Sequence, residues 1–191
     1  YAGLLVFQFF AEVIGRAPRL LLENPSYVTR MAFPLEILVP AAMGTALFAA
    51  AIGTAILLLG HVVLIGLPPP SVLGLVLIWP ALLMFVAGLG WALSAIGVYL
   101  RDLGQLVSTV LPAMMFLTPI FYPSSAVPAG LSAVLMANPL AWFVEAIRGA
   151  LLDGVLPSAG GFAALYAAGL GSALIGHAVF RRTRHGFADV V

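Results

Sequence analysis

Seven carboxylates, three histidines and eight arginines are the side chains with which this sequence could move protons, hold metals or bind charge. The acids, Glu12, Glu23, Glu36, Asp102, Glu145, Asp153 and Asp189, are scattered along the chain, whereas hydrolytic or transferase chemistry needs clustered carboxylates, a histidine pair or a basic set for phosphate. Every basic residue is arginine. The absence of lysine removes a Walker A phosphate loop and Schiff-base catalysis, and the absence of cysteine removes disulfides, thiolate metal sites and thiol nucleophiles. Two charge pairs are foreshadowed by spacing: Glu12 lies one turn before Arg16, and Glu145 and Arg148 are three apart on one helical face. His61 and His177 stand inside apolar runs with no acidic neighbour in sequence. They are expected to be neutral and hydrogen-bonded to a nearby helix rather than to act as ligands or a proton relay.

The elements that must position these residues follow from hydropathy. Only 8% of the residues are charged against 63% apolar, where soluble domains carry about 25% charge, so a water-facing surface cannot be built. The net charge of +1 and the lack of a polybasic or acidic tail give no reason to expect nucleic acid. Residues 37–100 contain no Asp, Glu, Lys or Arg. Since one crossing takes about 20 apolar residues, two fit within this run. The spacing predicts an all-α integral membrane domain over 1–191, with spans near 1–14, 40–67, 72–100, 103–122 and 158–180. The first begins in mid-helix, without an initiator Met or basic flank, and its start is expected to lie before Tyr1. Gly44, Ala49, Gly53 and Gly60 give the second span small residues for close helix approach, and Pro112 is expected to kink the fourth. The stretch 24–36 opens with Asn24 and Pro25, a cap and first-turn pair, and is too polar to cross; it is expected to lie along the membrane surface.

The region 124–157 is apolar but broken at Asn138 and Pro139 and carries Glu145, Arg148 and Asp153. Each half has about a dozen residues, the length of a re-entrant or interfacial helix. Charge bias supports that reading. If 124–157 dips in and returns, seven of the eight arginines share one side, the cytoplasmic one by the positive-inside rule, with the C-terminus; if it crosses, the final arginine cluster lands outside.

Three sets of residues stand out, and each has a plain structural explanation beside the functional one. Phe33, Pro34 and Glu36, with Tyr27 and Arg30 upstream, form either a proline stop with an interfacial aromatic or a rigid element that a soluble motor could push. Arg101 and Asp102 form either a topology anchor or a contact point beneath a pore. Pro119, Phe121, Tyr122, Pro123, Pro128, Asn138, Pro139, Glu145 and Arg148 form either a buried cap or an external gate, since broken backbone at bilayer depth survives only inside protein or around a cavity. The aromatics Trp79, Trp91, Tyr99, Phe121, Tyr122, Trp142 and Tyr166 fit an interfacial belt, and some could stack on sugar rings in a pore.

In series, Phe33-Pro34-Leu35-Glu36-Ile37, Val98 through Arg101-Asp102, Pro119-Ile120-Phe121-Tyr122-Pro123, Val127-Pro128, Asn138-Pro139-Leu140 and Arg148 resemble the permease subunit of ABC-2 type exporters, specifically the branch that exports O-antigen, teichoic acid or capsule. The resemblance covers nearly the whole chain. It implies a six-span subunit in the bacterial cytoplasmic membrane that pairs with a second copy of itself and with two ABC ATPase subunits. ATP and Mg would be bound by those partners and no cofactor by this chain. It also implies that 24–36 is a coupling helix, that 124–157 is a re-entrant external gate, that the cargo is a lipid-linked glycan, and that an amphipathic helix and a first span precede Tyr1. An exporter of a drug, haem or another lipid-like molecule is the alternative within the superfamily, and a membrane-embedded lipid or glycan enzyme is the alternative outside it. A passive scaffold would have no need of a proline-broken hairpin.

Overall fold

The computed structural model describes residues 1–28, 34–121 and 137–189, with the backbone alone at 27, 28, 188 and 189. These residues are built from helices: α1 (Ala2–Arg16), the short α2 (Pro25–Val28), α3 (Leu38–Leu64), α4 (Leu75–Tyr99), α5 (Leu103–Leu117), α6 (Pro139–Arg148) and α7 (Ala159–Thr183), the last running into a 3-10 turn at Arg184–Asp189. Three helical stretches among them, Leu35–Leu64, Pro70–Tyr99 and Ala159–Phe187, are long and apolar enough to cross a bilayer.

The helix expected over 103–122 stops at Leu117. Thr118 precedes a proline, whose ring pushes the residue before it out of the helical region, and it is extended at φ −105°, ψ 137°. At 1.5 Å per residue the 15 residues of α5 reach about 22 Å, short of the roughly 30 Å hydrocarbon core. Within 24–36, α2 starts at Pro25, the expected first-turn proline, while the Asn24 side chain donates from Nδ2 back to the Leu20 carbonyl at 2.9 Å. Residues 29–33, hence Arg30 and Phe33, lie outside the described residues, as do Tyr122, Pro123 and Pro128.

α1 is the hub. Its face of Leu5, Val6, Phe9, Phe10, Val13 and Ile14 is buried against α3, α4, α5 and α6. Phe9 meets Trp79 edge-on at 5.4 Å, Phe10 stacks on Phe85 at 6.5 Å, and Phe85 meets Phe143 at 5.5 Å. Such pairs are worth about 0.5–1.5 kcal/mol each beyond burial. They matter here because helices within lipid gain little from the hydrophobic effect and associate through packing and hydrogen bonds.

The most extensive packing joins α4 to α7, which run parallel. A Cβ on Gly88 would collide with the Ser172 backbone, one on Gly176 with the Gly88 carbonyl, and one on Gly169 with the Ala81 carbonyl. Three side chains bridge the seam to opposing carbonyls: Tyr166 to Leu77 at 2.9 Å, Ser172 to Phe85 at 2.8 Å and Tyr99 to Thr183 at 2.8 Å. The close approach expected of the second span is therefore carried by other glycines. Gly44 and Gly60 face open space, and of the small residues singled out in α3 only Gly53 is tight, against Leu5. Most of α3 stays on the outside, exposing Phe48, Ile56, Leu59 and Val63.

Candidate functional site

The helices present two ends of opposite character. At one, α1 finishes at Arg16, Pro18 packs on Gly97 of α4, and Arg19 lies against Gly104 of α5. Arg101 and Asp102, exposed on the α4–α5 turn, sit there too, making no ion pair with each other, and so do Arg181, Arg182 and Arg184. Six of the seven described arginines are thus gathered at one end, and Arg148 is alone at the other.

Glu36 organises the arginine-rich end. Pro34 is extended (ψ 93°), so the chain turns once at Leu35–Ile37 and enters α3 directly, with Glu36 in that turn. Its Oε1 accepts from Arg184 Nη1 at 2.8 Å and its carbonyl accepts from Trp91 Nε1 at 2.9 Å. One residue so ties the start of α3 to α4 and to the end of α7. Pro34, Glu36, Arg101 and Asp102 share this end; Tyr27 lies on α2, with its side chain outside the described residues. Arg184 and Trp91 enter the site through contacts far apart in sequence, and only the charge cluster containing Arg184 hinted at either. The Glu12–Arg16 pair forms at 3.4 Å with both side chains exposed, a geometry that contributes little.

His177 and His61 depart from expectation. Nδ1 of each is buried without a hydrogen-bond partner. Backbone N–H groups inside a helix are already committed to the carbonyls four residues back, so the imidazole finds no donor in its own helix. The His177 ring instead meets Trp91 edge-on at 5.2 Å.

At the far end the proline-rich residues converge. Asn138, extended before Pro139, accepts from the Leu140 N–H at 3.1 Å and caps α6. Its Nδ2 donates to Thr118 Oγ1 at 3.0 Å. Arg148, at the last turn of α6 and with a side chain only 16% exposed, pairs with Glu145 at 2.9 Å, as the three-residue spacing predicts, and its Nη2 donates to the carbonyls of Pro119 and Ile120. The guanidinium thereby satisfies backbone that α5 leaves unpaired where it stops. Gly3 makes room, since a Cβ there would lie 3.3 Å from Arg148 Nη2 and 3.3 Å from the Ile120 Cα. The structure thus brings Pro119, Asn138, Pro139, Glu145 and Arg148 together, while Phe121 points outward, largely exposed. Thr118, Ile120 and Gly3 are participants that spacing alone did not reveal.

α1 exposes Gln8 and Glu12, which border a groove against α3, and α5 exposes Gln105, Ser108 and Thr109 in its first two turns, next to the arginine-rich end. Both hydroxyls donate to the Gln105 carbonyl, at 2.8 and 2.9 Å, which leaves their lone pairs as acceptors. No cluster of His, Cys, Asp and Glu capable of holding a metal occurs among the described residues.

Long apolar helices, a proline-broken helix pair held at one end and an arginine-rich face at the other define a multi-pass helical membrane protein. The chain belongs to the ABC-2 type transporter family, which it matches over residues 1–152. It is 30% identical over 108 residues to the O-antigen export system permease protein RfbA of Klebsiella pneumoniae, covering 56% of this chain and 41% of that protein. A second Klebsiella pneumoniae protein so described is 28% identical over 118 residues, covering 62% and 45%. One from Myxococcus xanthus is 24% identical over 193 residues, covering 100% and 74%. The matched stretch spans less than half the length of either Klebsiella relative.

Proposed function

We propose that this protein is the permease subunit of an ATP-driven exporter that moves a lipid-linked polysaccharide across the bacterial cytoplasmic membrane, with its arginine-rich end and C-terminus in the cytoplasm. Two copies form the passage, and two ABC ATPase subunits, which bind the ATP and Mg, drive it through 24–36. Arg30 and Phe33 belong to this coupling element, Tyr122, Pro123 and Pro128 to the external gate.

The observation that carries the cargo assignment is the set of exposed polar side chains Gln8 and Glu12 on α1 and Gln105, Ser108 and Thr109 on α5. Exposed polar groups on membrane helices need water or polar partners, and a hydroxyl-rich glycan supplies them where a drug or haem would favour an apolar wall. The names of the relatives, all O-antigen export permeases, point to the same cargo. Deletion of the gene in its host tests this directly: surface glycan is lost and lipid-linked glycan accumulates inside. Unchanged surface glycan with altered drug or haem tolerance would reverse the assignment. Pull-down with the proposed ABC ATPase partner after Glu36→Ala and Arg101→Ala tests the coupling role, which predicts weakened association; unchanged association and export would remove it.

A further inference from the structure

Opposite the arginine-rich end, α6, the π turn Gly149–Asp153 and the first turns of α7 border an open cavity of about 510 Å³, within the roughly 300–1,000 Å³ of small-ligand sites. Trp142, Glu145, Gly149 and Asp153 line it from one side of the helix. Phe143, Val144 and Ile147 occupy the other side and are buried in the core. The cavity is shaped from behind. Ser71 Oγ donates to the Ala150 carbonyl at 2.8 Å, clamping the π turn to the start of α4, and the Val155 N–H reaches the Gly149 carbonyl at 3.0 Å. Gly154, at φ +71°, makes the reversal. Helical π turns recur at functional sites because they re-aim side chains that an α-helix would place elsewhere.

The charge in the lining is of one sign. Glu145 and Asp153 are its charged side chains; Arg148, outside the lining, pairs with Glu145 Oε1 at 2.9 Å and donates to the carbonyls of Pro119 and Ile120. Asp153 has no hydrogen-bond or ion-pair partner among the described residues. An indole beside two carboxylates, with Val155 and Leu165 as apolar wall, is complementary to an amphiphile with a cationic head. Carboxylates take an ammonium by charge-assisted hydrogen bonds, an indole face attracts it, and the wall accepts an alkyl chain. We propose that this cavity binds the primary ammonium headgroup of a phosphatidylethanolamine lipid. The ammonium sits between Asp153 and Glu145 and the acyl chain lies against Val155 and Leu165. The phosphodiester stays at the open mouth, since the lining offers it no free cation. This inference is independent of the exported cargo.

The test is lipid retention by the purified full-length protein in detergent, measured by native mass spectrometry with phosphatidylethanolamine, phosphatidylglycerol and N-acetylated phosphatidylethanolamine. The wild type should hold phosphatidylethanolamine about tenfold better than either of the others, the value of one charge-assisted hydrogen bond or more. Asp153→Asn, isosteric on an exposed turn, should erase that preference. Ala164→Phe, which fills the cavity without touching its charge, should lower retention of phosphatidylethanolamine with the melting temperature held. Equal retention of the three lipids by the wild type, or an undiminished preference in both variants, overturns the proposal. Displacement by a free oligosaccharide with no lipid preference would reassign the cavity to sugar.

Discussion

Glu36 and Arg184, separated by 148 residues, meet at 2.8 Å and join the first turn of α3 to the end of α7. The pair is formed where Trp91 also holds the Glu36 carbonyl, so side chain and backbone of one residue are gripped from two helices. Any force arriving through 24–36 therefore reaches α4 and α7 as well as α3.

Breaking this grip should be mild for stability and visible for coupling. Arg184 is 46% exposed, so Glu36→Gln should cost about 0.5–1 kcal/mol in thermal unfolding. The exchange Glu36→Arg with Arg184→Glu should recover most of it. A double-mutant cycle on the melting temperature checks the pairing, and ATPase stimulation by the permease reads the coupling separately.

Arg148 should tolerate no conservative replacement. Lysine is a single point charge and cannot reach Glu145 and two backbone carbonyls together. Arg148→Lys and Arg148→Ala should each lose about 2–3 kcal/mol, the cost of stranding part-buried acceptors. Equal melting temperatures of Arg148→Lys and wild type in detergent would show that the fork is not required.

Glycine substitutions should divide sharply. Gly88→Ala and Gly176→Ala place a methyl group on opposing backbone, and well-folded protein should be lost from membranes. Gly44→Ala and Gly60→Ala meet open space and should raise the melting point by up to about 1 kcal/mol equivalent through helix propensity. Folded yield by fluorescence-detected size exclusion separates the two groups.

The exposed hydroxyls of α5 make a kinetic prediction. Ser108→Val and Thr109→Val together remove two hydroxyls bonded only within α5, so the fold should be unaffected. Export of surface glycan, followed by lectin labelling over time, should fall several-fold if the cargo passes that face.

The long apolar helices were legible in sequence because bilayer thickness fixes the length of an apolar run, and the grouping of arginines at one end of the helices followed from their positions along it. The Glu145–Arg148 pair was legible because three residues is less than one turn. What escaped depends on contacts between distant segments. Nothing local says that Trp91 reaches Glu36, or that Arg148 finishes the backbone of α5 rather than merely neutralising a carboxylate. The glycine reading failed for α3 for the same reason: composition reports which helix can approach another closely, while the partner decides which one does. The aromatics assigned to a belt also acquired partners, Tyr99 and Tyr166 spanning α4 and α7 through their hydroxyls.

The α4–α7 seam leaves no slack. Sliding one helix past the other by a single residue, about 1.5 Å, would drive side chains into carbonyls now faced by Gly88, Gly169 and Gly176 and would break three cross-seam hydrogen bonds. The pair is mechanically a fixed post. On the proposed transport role, opening is a swing of other parts against this post, and α5, short, proline-containing and tied at its far end by Arg148 and Asn138, is the leaf that swings.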